Sequence, residues 1–269
     1  MKNTPVDLLP VAKSIRRSVI QMAHASGASH TGSALSIVDL LTVLYFKVLN
    51  VNSEHPGLPE RDRFVLSKGH ASAALYATLA ERGFIDKALL KTYYIDGGVL
   101  PGHVDLTAVP GIEASAGSLG HGLSLGTGMA LSLRSDKKSS RVFVLMGDGE
   151  LNEGSVWEAL MFIPHQQLRN ITVIVDCNNY QGYGSSTEVL NMSPLDQKLA
   201  AFGWQVTSIS GHDFVEIENA LQNVSGDKPQ IILANTVKGK GVSFMEGQFV
   251  WHYKSPNDEQ MTQALKELE

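Results

Sequence analysis

Arg141-Val142-Phe143-Val144-Leu145-Met146-Gly147-Asp148-Gly149-Glu150 is an unbroken apolar run that ends in a glycine-framed acidic turn, and Asn170-Ile171-Thr172-Val173-Ile174-Val175-Asp176-Cys177-Asn178-Asn179 repeats the plan. Short runs without polar alternation read as parallel strands buried on both faces. Between them Val156, Trp157, Leu160 and Met161 mark one side of an amphipathic helix. Strand, helix, strand implies a right-handed crossover within a largely parallel sheet. Open α/β sheets bind ligands outside the carboxyl ends of their strands, so Asp148 and Asn178 come to one place. A carboxylate beside an amide oxygen suits a hard cation. Magnesium asks for about six oxygens and takes only a few from protein, leaving the rest to phosphate and water. The pattern therefore calls for a phosphate-bearing ligand.

Outward from this unit, apolar spacing predicts helices over 8–26, 36–48, 69–82 with Gly83 ending it, 86–94, 120–133, 195–202 and 213–224. Two further strands are expected at 204–209 and 230–236. The small residues Gly122, Gly126, Gly128 and Ala130 suggest close approach of a neighbouring backbone. The passage from Asp96 to Gly120 has little periodicity and reads as a long functional loop, and 177–194 as a second loop. There is no internal repeat, low-complexity segment or domain linker.

Composition narrows the function classes. With 269 residues, 43% of them hydrophobic and 18% charged, the chain is globular and large for one α/β domain. A net charge of −5 offers no basic field for nucleic acid or anionic membranes. Met1-Lys2-Asn3-Thr4-Pro5 opens without a signal-peptide apolar core, no stretch is apolar enough to span a bilayer, and the expected location is cytoplasmic. The single cysteine, Cys177, cannot form an internal disulfide and reads as a packing residue.

Gly147-Asp148-Gly149 followed by Asn178-Asn179, with the 28 residues 150–177 between, resembles the signature of thiamine diphosphate enzymes. Within that superfamily the chain is similar to transketolases, on Ser29-His30-Thr31-Gly32, Ser67-Lys68-Gly69-His70-Ala71-Ser72, Pro101-Gly102-His103, Gly117-Ser118-Leu119-Gly120 and Gly147 through Gly154. The resemblance covers nearly the whole chain. It implies an α/β thiamine diphosphate-binding fold, with a mostly parallel sheet flanked by helices on both faces. It also implies that residues 1–269 are one diphosphate-binding domain, like the N-terminal subunit of a split transketolase. The pyrimidine-binding and C-terminal domains are then expected on a C-terminal partner subunit, in an α2β2 assembly.

The same resemblance implies the site. Asp148, Asn178 and the Tyr180 carbonyl would hold Mg²⁺, with Ca²⁺ or Mn²⁺ as substitutes. Gly147, Gly149, Glu150, His70, His252, Gly117, Ser118 and Leu119 would line the thiamine diphosphate. His30 and His103 are expected near the ketose hydroxyls, and all four histidines could carry protons, since neutral imidazole both donates and accepts. His24, His55, His165 and His212 lie outside these motifs and read as structural or exposed. Glu153 and Glu158 match glutamates of a subunit interface. Ser118, His121 and Thr31 stand where many relatives carry proline, glutamine and proline.

The implied reaction moves a two-carbon glycolyl unit from a ketose or ketose phosphate to an aldose, with activity only beside the partner that carries the pyrimidine domain. Other thiamine diphosphate enzymes remain open, such as a 1-deoxyxylulose-phosphate synthase or the dehydrogenase component of a 2-oxo acid complex. So does a non-catalytic scaffold that keeps the fold.

Overall fold

The structure, a computed structural model, describes residues 6–222 and 226–269. In chain order its elements are α1 (Leu8–Ser26), α2 (Thr31–Leu35), α3 (Val38–Val43), β1 (Arg63–Leu66), α4 (Ser72–Arg82), α5 (Gly122–Ser135), β2 (Val142–Gly147), α6 (Gly154–His165), β3 (Ile171–Cys177), β4 (Tyr180–Gln181), β5 (Gly184–Ser185), α7 (Ser186–Val189), α8 (Leu195–Ala201), β6 (Gln205–Ser210), α9 (Phe214–Gln222), β7 (Gln230–Asn235) and α10 (Asp258–Glu267).

Five strands form one sheet in the order β1-β2-β3-β7-β6, and every pairing in it is parallel. Successive side chains of a strand point to opposite faces, and the sheet builds two cores accordingly. Phe143, Leu145, Ile174 and Ile232 pack on one face with α1, α3, α4 and α9. Val142, Val144, Val173, Val175 and Ile231 pack on the other with α5, α6 and α8. Each such side chain, fully buried, contributes roughly 1.5–3 kcal/mol. The expected α/β fold with helices on both faces is what the chain adopts.

Register positions the site. Gly147 pairs with Asp176, so β2 and β3 end level, and Asp148 and Asn178 follow immediately beyond. Of the small residues of α5, Gly122 meets a neighbouring backbone as expected, an added Cβ lying 2.6 Å from Ser67 Cα; Gly126 instead makes room for the Val144 side chain, and Gly128 faces open space.

Several elements differ from the sequence reading. The helix expected over 36–48 starts earlier, as α2, and breaks before α3; it then ends in a π turn, Leu44–Val48. The break falls at Ser36 and Ile37, where the Ser36 hydroxyl lies against both the Ser33 carbonyl at 3.0 Å and Asp176 Oδ2 at 2.7 Å. The helix expected over 69–82 opens with a 3₁₀ turn, Gly69–Ala71, and that over 86–94 is a 3₁₀ stretch, Lys87–Thr92. The 177–194 passage carries the β4–β5 hairpin and α7. Of α6's predicted apolar face, Val156 and Leu160 are buried, while Met161 is exposed with Phe162. The last two positions of the helix expected over 213–224 lie outside the described residues, as do Met1–Pro5. β1 and α10 were not foreseen.

Candidate active site

Beyond the strand tips lies a cavity of about 610 Å³, within the size range of small-molecule sites. Asp148 and Asn178 both line it, with Tyr180, Gly147, Gly149 and Glu150. Asp148 is held by the chain on both oxygens. Its Oδ1 accepts the Gly149 N–H at 2.9 Å, and its Oδ2 accepts the Asn179 N–H at 2.9 Å and the Ser186 hydroxyl at 2.8 Å. Burial and neighbouring Asp176 push its carboxyl up to about 6, partly opposed by the Ser186 and Gly149 bonds. A cation beside it would relieve both costs.

Asp176 organises the floor. Its carboxylate, fully buried, accepts from Lys68 Nζ at 2.5 Å, Ser36 Oγ at 2.7 Å and Asn178 Nδ2 at 2.8 Å, and from the Thr236 hydroxyl. Burial opposes its ionisation, but the Lys68 ammonium and these donors outweigh burial and hold the carboxyl below its usual range. One consequence concerns Asn178: its amide nitrogen faces Asp176, and its oxygen accepts the Tyr180 N–H at 3.1 Å on the other side. The amide is thereby oriented with oxygen as the group a metal could use.

A second ammonium lies behind the wall. Lys238, 1% exposed, donates to Ser33 Oγ at 2.9 Å and bonds His252 Nδ1 at 3.2 Å. No carboxylate pairs with it among the described residues. Burial, then repulsion from Lys68, lower it to about 8. Two buried ammoniums, Lys68 in the lining and Lys238 behind it, thus stand among the carboxylates of Asp176, Asp148 and Glu150.

Four histidines crowd one wall. The His30 ring centroid lies 4.9 Å from those of His70 and His252 and 6.3 Å from that of His103, and all four line the cavity. Burial first, then nearby positive groups, lowers His30 to about 4 and His252 to about 3, and depresses His70 well below the ordinary range. His30, His70 and His252 stand neutral at pH 7. Since Lys238 donates to His252 Nδ1, the ring proton of His252 belongs on Nε2.

The residues fit a metal-bound diphosphate. Asn152 Oδ1 and Gln181 Nε2, of residues lining the cavity, are buried without a hydrogen-bond partner. Gly147 presents bare backbone where an added Cβ would meet nothing within 4 Å, leaving room for a ligand. Among the described residues no group of three or more His, Cys, Asp or Glu is arranged to hold a metal, so a cation here would draw on amide and main-chain oxygen and on the ligand itself.

Most residues named from the sequence meet at this cavity: His30, His70, His103, His252, Gly117, Leu119, Gly147, Asp148, Gly149, Glu150, Glu153, Asn178 and Tyr180. Ser118 is exposed and outside the lining, and Glu158 is exposed on α6 away from it. Glu150 plays a structural part in this chain. Buried, it accepts the Gly120 N–H at 2.9 Å, the Gly147 N–H at 3.2 Å and the Ser67 hydroxyl, so it ties three motif segments together. Lys68, Lys238, Asn152 and Gln181 were missed as site residues. Lys68 stood inside a quoted motif and could have been found there; Lys238 had only its Lys-Gly-Lys-Gly context.

Residues 9–268 match the family model described as transketolase, thiamine diphosphate binding domain. The chain belongs to the transketolase family. It is 40% identical to the 6-deoxy-6-sulfo-D-fructose transketolase subunit SqwG of Clostridium sp. (strain MSTE9), across 100% of this chain and 98% of that one. It is likewise 40% identical to an apulose-4-phosphate transketolase subunit of Phocaeicola vulgatus (strain ATCC 8482), over 94% of this chain and 90% of the relative. Among solved structures, the transketolase from Leishmania mexicana superposes with a TM-score of 0.92 at 28% identity, over 98% of this chain and 42% of that chain. The chain thus spans about two fifths of the solved transketolase, and nearly all of the relatives named as subunits. Its likeness is to the N-terminal subunit of a split transketolase.

Proposed function

We propose that this chain binds thiamine diphosphate and a divalent metal as one component of a two-subunit transketolase, transferring a glycolyl unit from a ketose to an aldose. The observation that carries the reading is the meeting of Asp148 and Asn178 on one cavity that Lys68, paired with Asp176, also lines. Asp148, Asn178 and the Tyr180 carbonyl would hold Mg²⁺, with Lys68 and the bare Gly147 backbone facing the diphosphate. The bound cofactor would supply the carbanion that opens the ketose carbon–carbon bond.

The rest falls to the chain's own groups. His252, with its proton on Nε2, donates into the cavity. His30, whose Nδ1 bonds Ser29 Oγ at 2.9 Å, and His103 are placed to hold sugar hydroxyls. Burial keeps both His30 and His252 neutral at pH 7, so each ring presents one donor and one acceptor nitrogen, and in His252 the acceptor Nδ1 is taken by Lys238. The pyrimidine-binding half of the site, with the C-terminal domain, would come from a partner subunit in an α2β2 assembly. Exposed Glu158, Met161 and Phe162 on α6, with Leu125 on α5, offer surface for such packing, and Glu153 sits at the cavity lip to join it.

Relatives named for sulfofructose and apulose 4-phosphate argue for assaying ketoses beyond the pentose phosphates. The test is reconstitution. Purified chain, thiamine diphosphate and Mg²⁺ should show little ketol transfer until the partner subunit is added; full activity from the chain alone, or none from the pair over a broad ketose panel, would contradict the proposal.

A further inference from the structure

Outside the cavity lining, Arg16 on α1, Asp39 on α3 and His212 before α9 form a largely buried polar cluster that none of the motifs includes. Asp39 accepts Arg16 Nη1 at 3.0 Å and Nη2 at 2.6 Å, and His212 Nδ1 at 2.8 Å. Burial alone would raise the Asp39 carboxyl, yet the His212 bond and the Arg16 charge bring it below the ordinary value. A buried ion pair of this kind is a poor source of net stability, because desolvation offsets most of the attraction. Its outward contacts suggest another use. Arg16 Nε donates to the Lys240 carbonyl at 3.0 Å, and the Val237 N–H donates to His212 Nε2 at 2.8 Å. These two anchors flank Lys238. A third bond, Gly239 N–H to the Gly32 carbonyl at 2.9 Å, seats the same loop against α2.

We infer that Arg16, Asp39 and His212 act as a bracket that sets the position of Lys238 and, through it, the ring of His252. His212 is therefore a positioning residue of the site. His212 Nδ1–H donates to the Asp39 carboxylate, which leaves Nε2 as the acceptor that Val237 requires; the tautomer of one histidine is fixed so that the loop, the ammonium and the tautomer of the second follow. The inference rests on reading the cavity as the diphosphate site.

The experiment uses the full chain paired with its C-terminal partner, comparing wild type, His212→Ala, Lys238→Ala and the double variant. Mg²⁺–thiamine diphosphate affinity is read by calorimetry. His212→Ala should weaken binding by about tenfold to a hundredfold, and the double variant should bind no worse than Lys238→Ala alone, because both losses pass through one ammonium. Losses that multiply would assign His212 a general structural role and overturn the bracket. Amide exchange at Val237 and Lys238 should quicken in His212→Ala while α5 and α6 keep their rates; unchanged exchange would also overturn it. Asp39→Asn, which keeps the side-chain volume, repeats the exchange test if His212→Ala fails to fold. A wild-type pair that binds no thiamine diphosphate would contradict the cofactor reading instead. The bracket is then decided by ring nitrogen NMR, which should find the His252 proton on Nε2 in wild type and shared between both nitrogens in His212→Ala; an unaltered tautomer would overturn it.

Discussion

Asp176 shows how far a single side chain can determine a site without touching its ligand. Its carboxylate balances Lys68, turns the Asn178 amide and receives the hydroxyls of Ser36 and Thr236. Asp176→Asn would leave the Lys68 ammonium, 1% exposed, without its counter-charge. The expected cost is about 3–5 kcal/mol, the usual penalty for stranding a buried charge, measured as a lowered denaturation midpoint. Adding Lys68→Met should restore much of that stability while cofactor binding stays lost. A double variant as unstable as the single one would contradict the account. At this scale the chemistry-bearing residues of the two strand tips were legible, because Asp148 and Asn178 sit at fixed offsets from apolar runs. Lys238 was not: its bond to Ser33 spans 205 residues of sequence, and no local pattern encodes such a contact.

At the scale of elements, legibility followed the strength of the local pattern. β2, β3 and β7 are long apolar runs and were found; β1 escaped because only Phe64, Val65 and Leu66 stand between Arg63 and Ser67. α10 was overlooked although Asn257 and Gln260 form a capping box that announces it. The interruption between α2 and α3 falls where the Ser36 hydroxyl reaches Asp176, 140 residues away, a contact that no local pattern encodes. Long-range contact also constrains the turn that starts α4. A Cβ on Gly69 would collide with the Ala116 carbonyl oxygen, in the 96–120 loop. Gly69→Ala should therefore cost at least about 1–3 kcal/mol as overpacking forces turn and loop apart. Since Gly117 and Leu119 follow Ala116, cofactor binding should weaken as well. Thermal unfolding and calorimetry on the same variant check both, and a variant with wild-type stability would refute the packing argument.

For the molecule as a whole, the neutral histidines tie stability to pH. A histidine whose folded value lies below its unfolded one leaves the unfolded chain binding more protons, so its contribution is complete above about 6.5 and is lost as pH falls. For His30 and His252 the loss should extend from 6.5 toward about 4 and about 3. Melting temperature should thus fall steadily between pH 6.5 and 4.5, with a shallower slope in His30→Asn/His252→Asn; an identical slope in that variant would contradict the electrostatic reading. Among the described residues no helix is long and apolar enough to cross a membrane. The central claim is that two strand tips hold one divalent ion bearing a diphosphate. Manganese anomalous scattering from crystals of the subunit pair grown with Mn²⁺ and thiamine diphosphate tests it most directly. The account predicts one peak per site, coordinated by Asp148, Asn178 and the Tyr180 carbonyl; a peak among the four histidines, with Asp148 and Asn178 uncoordinated, would contradict it.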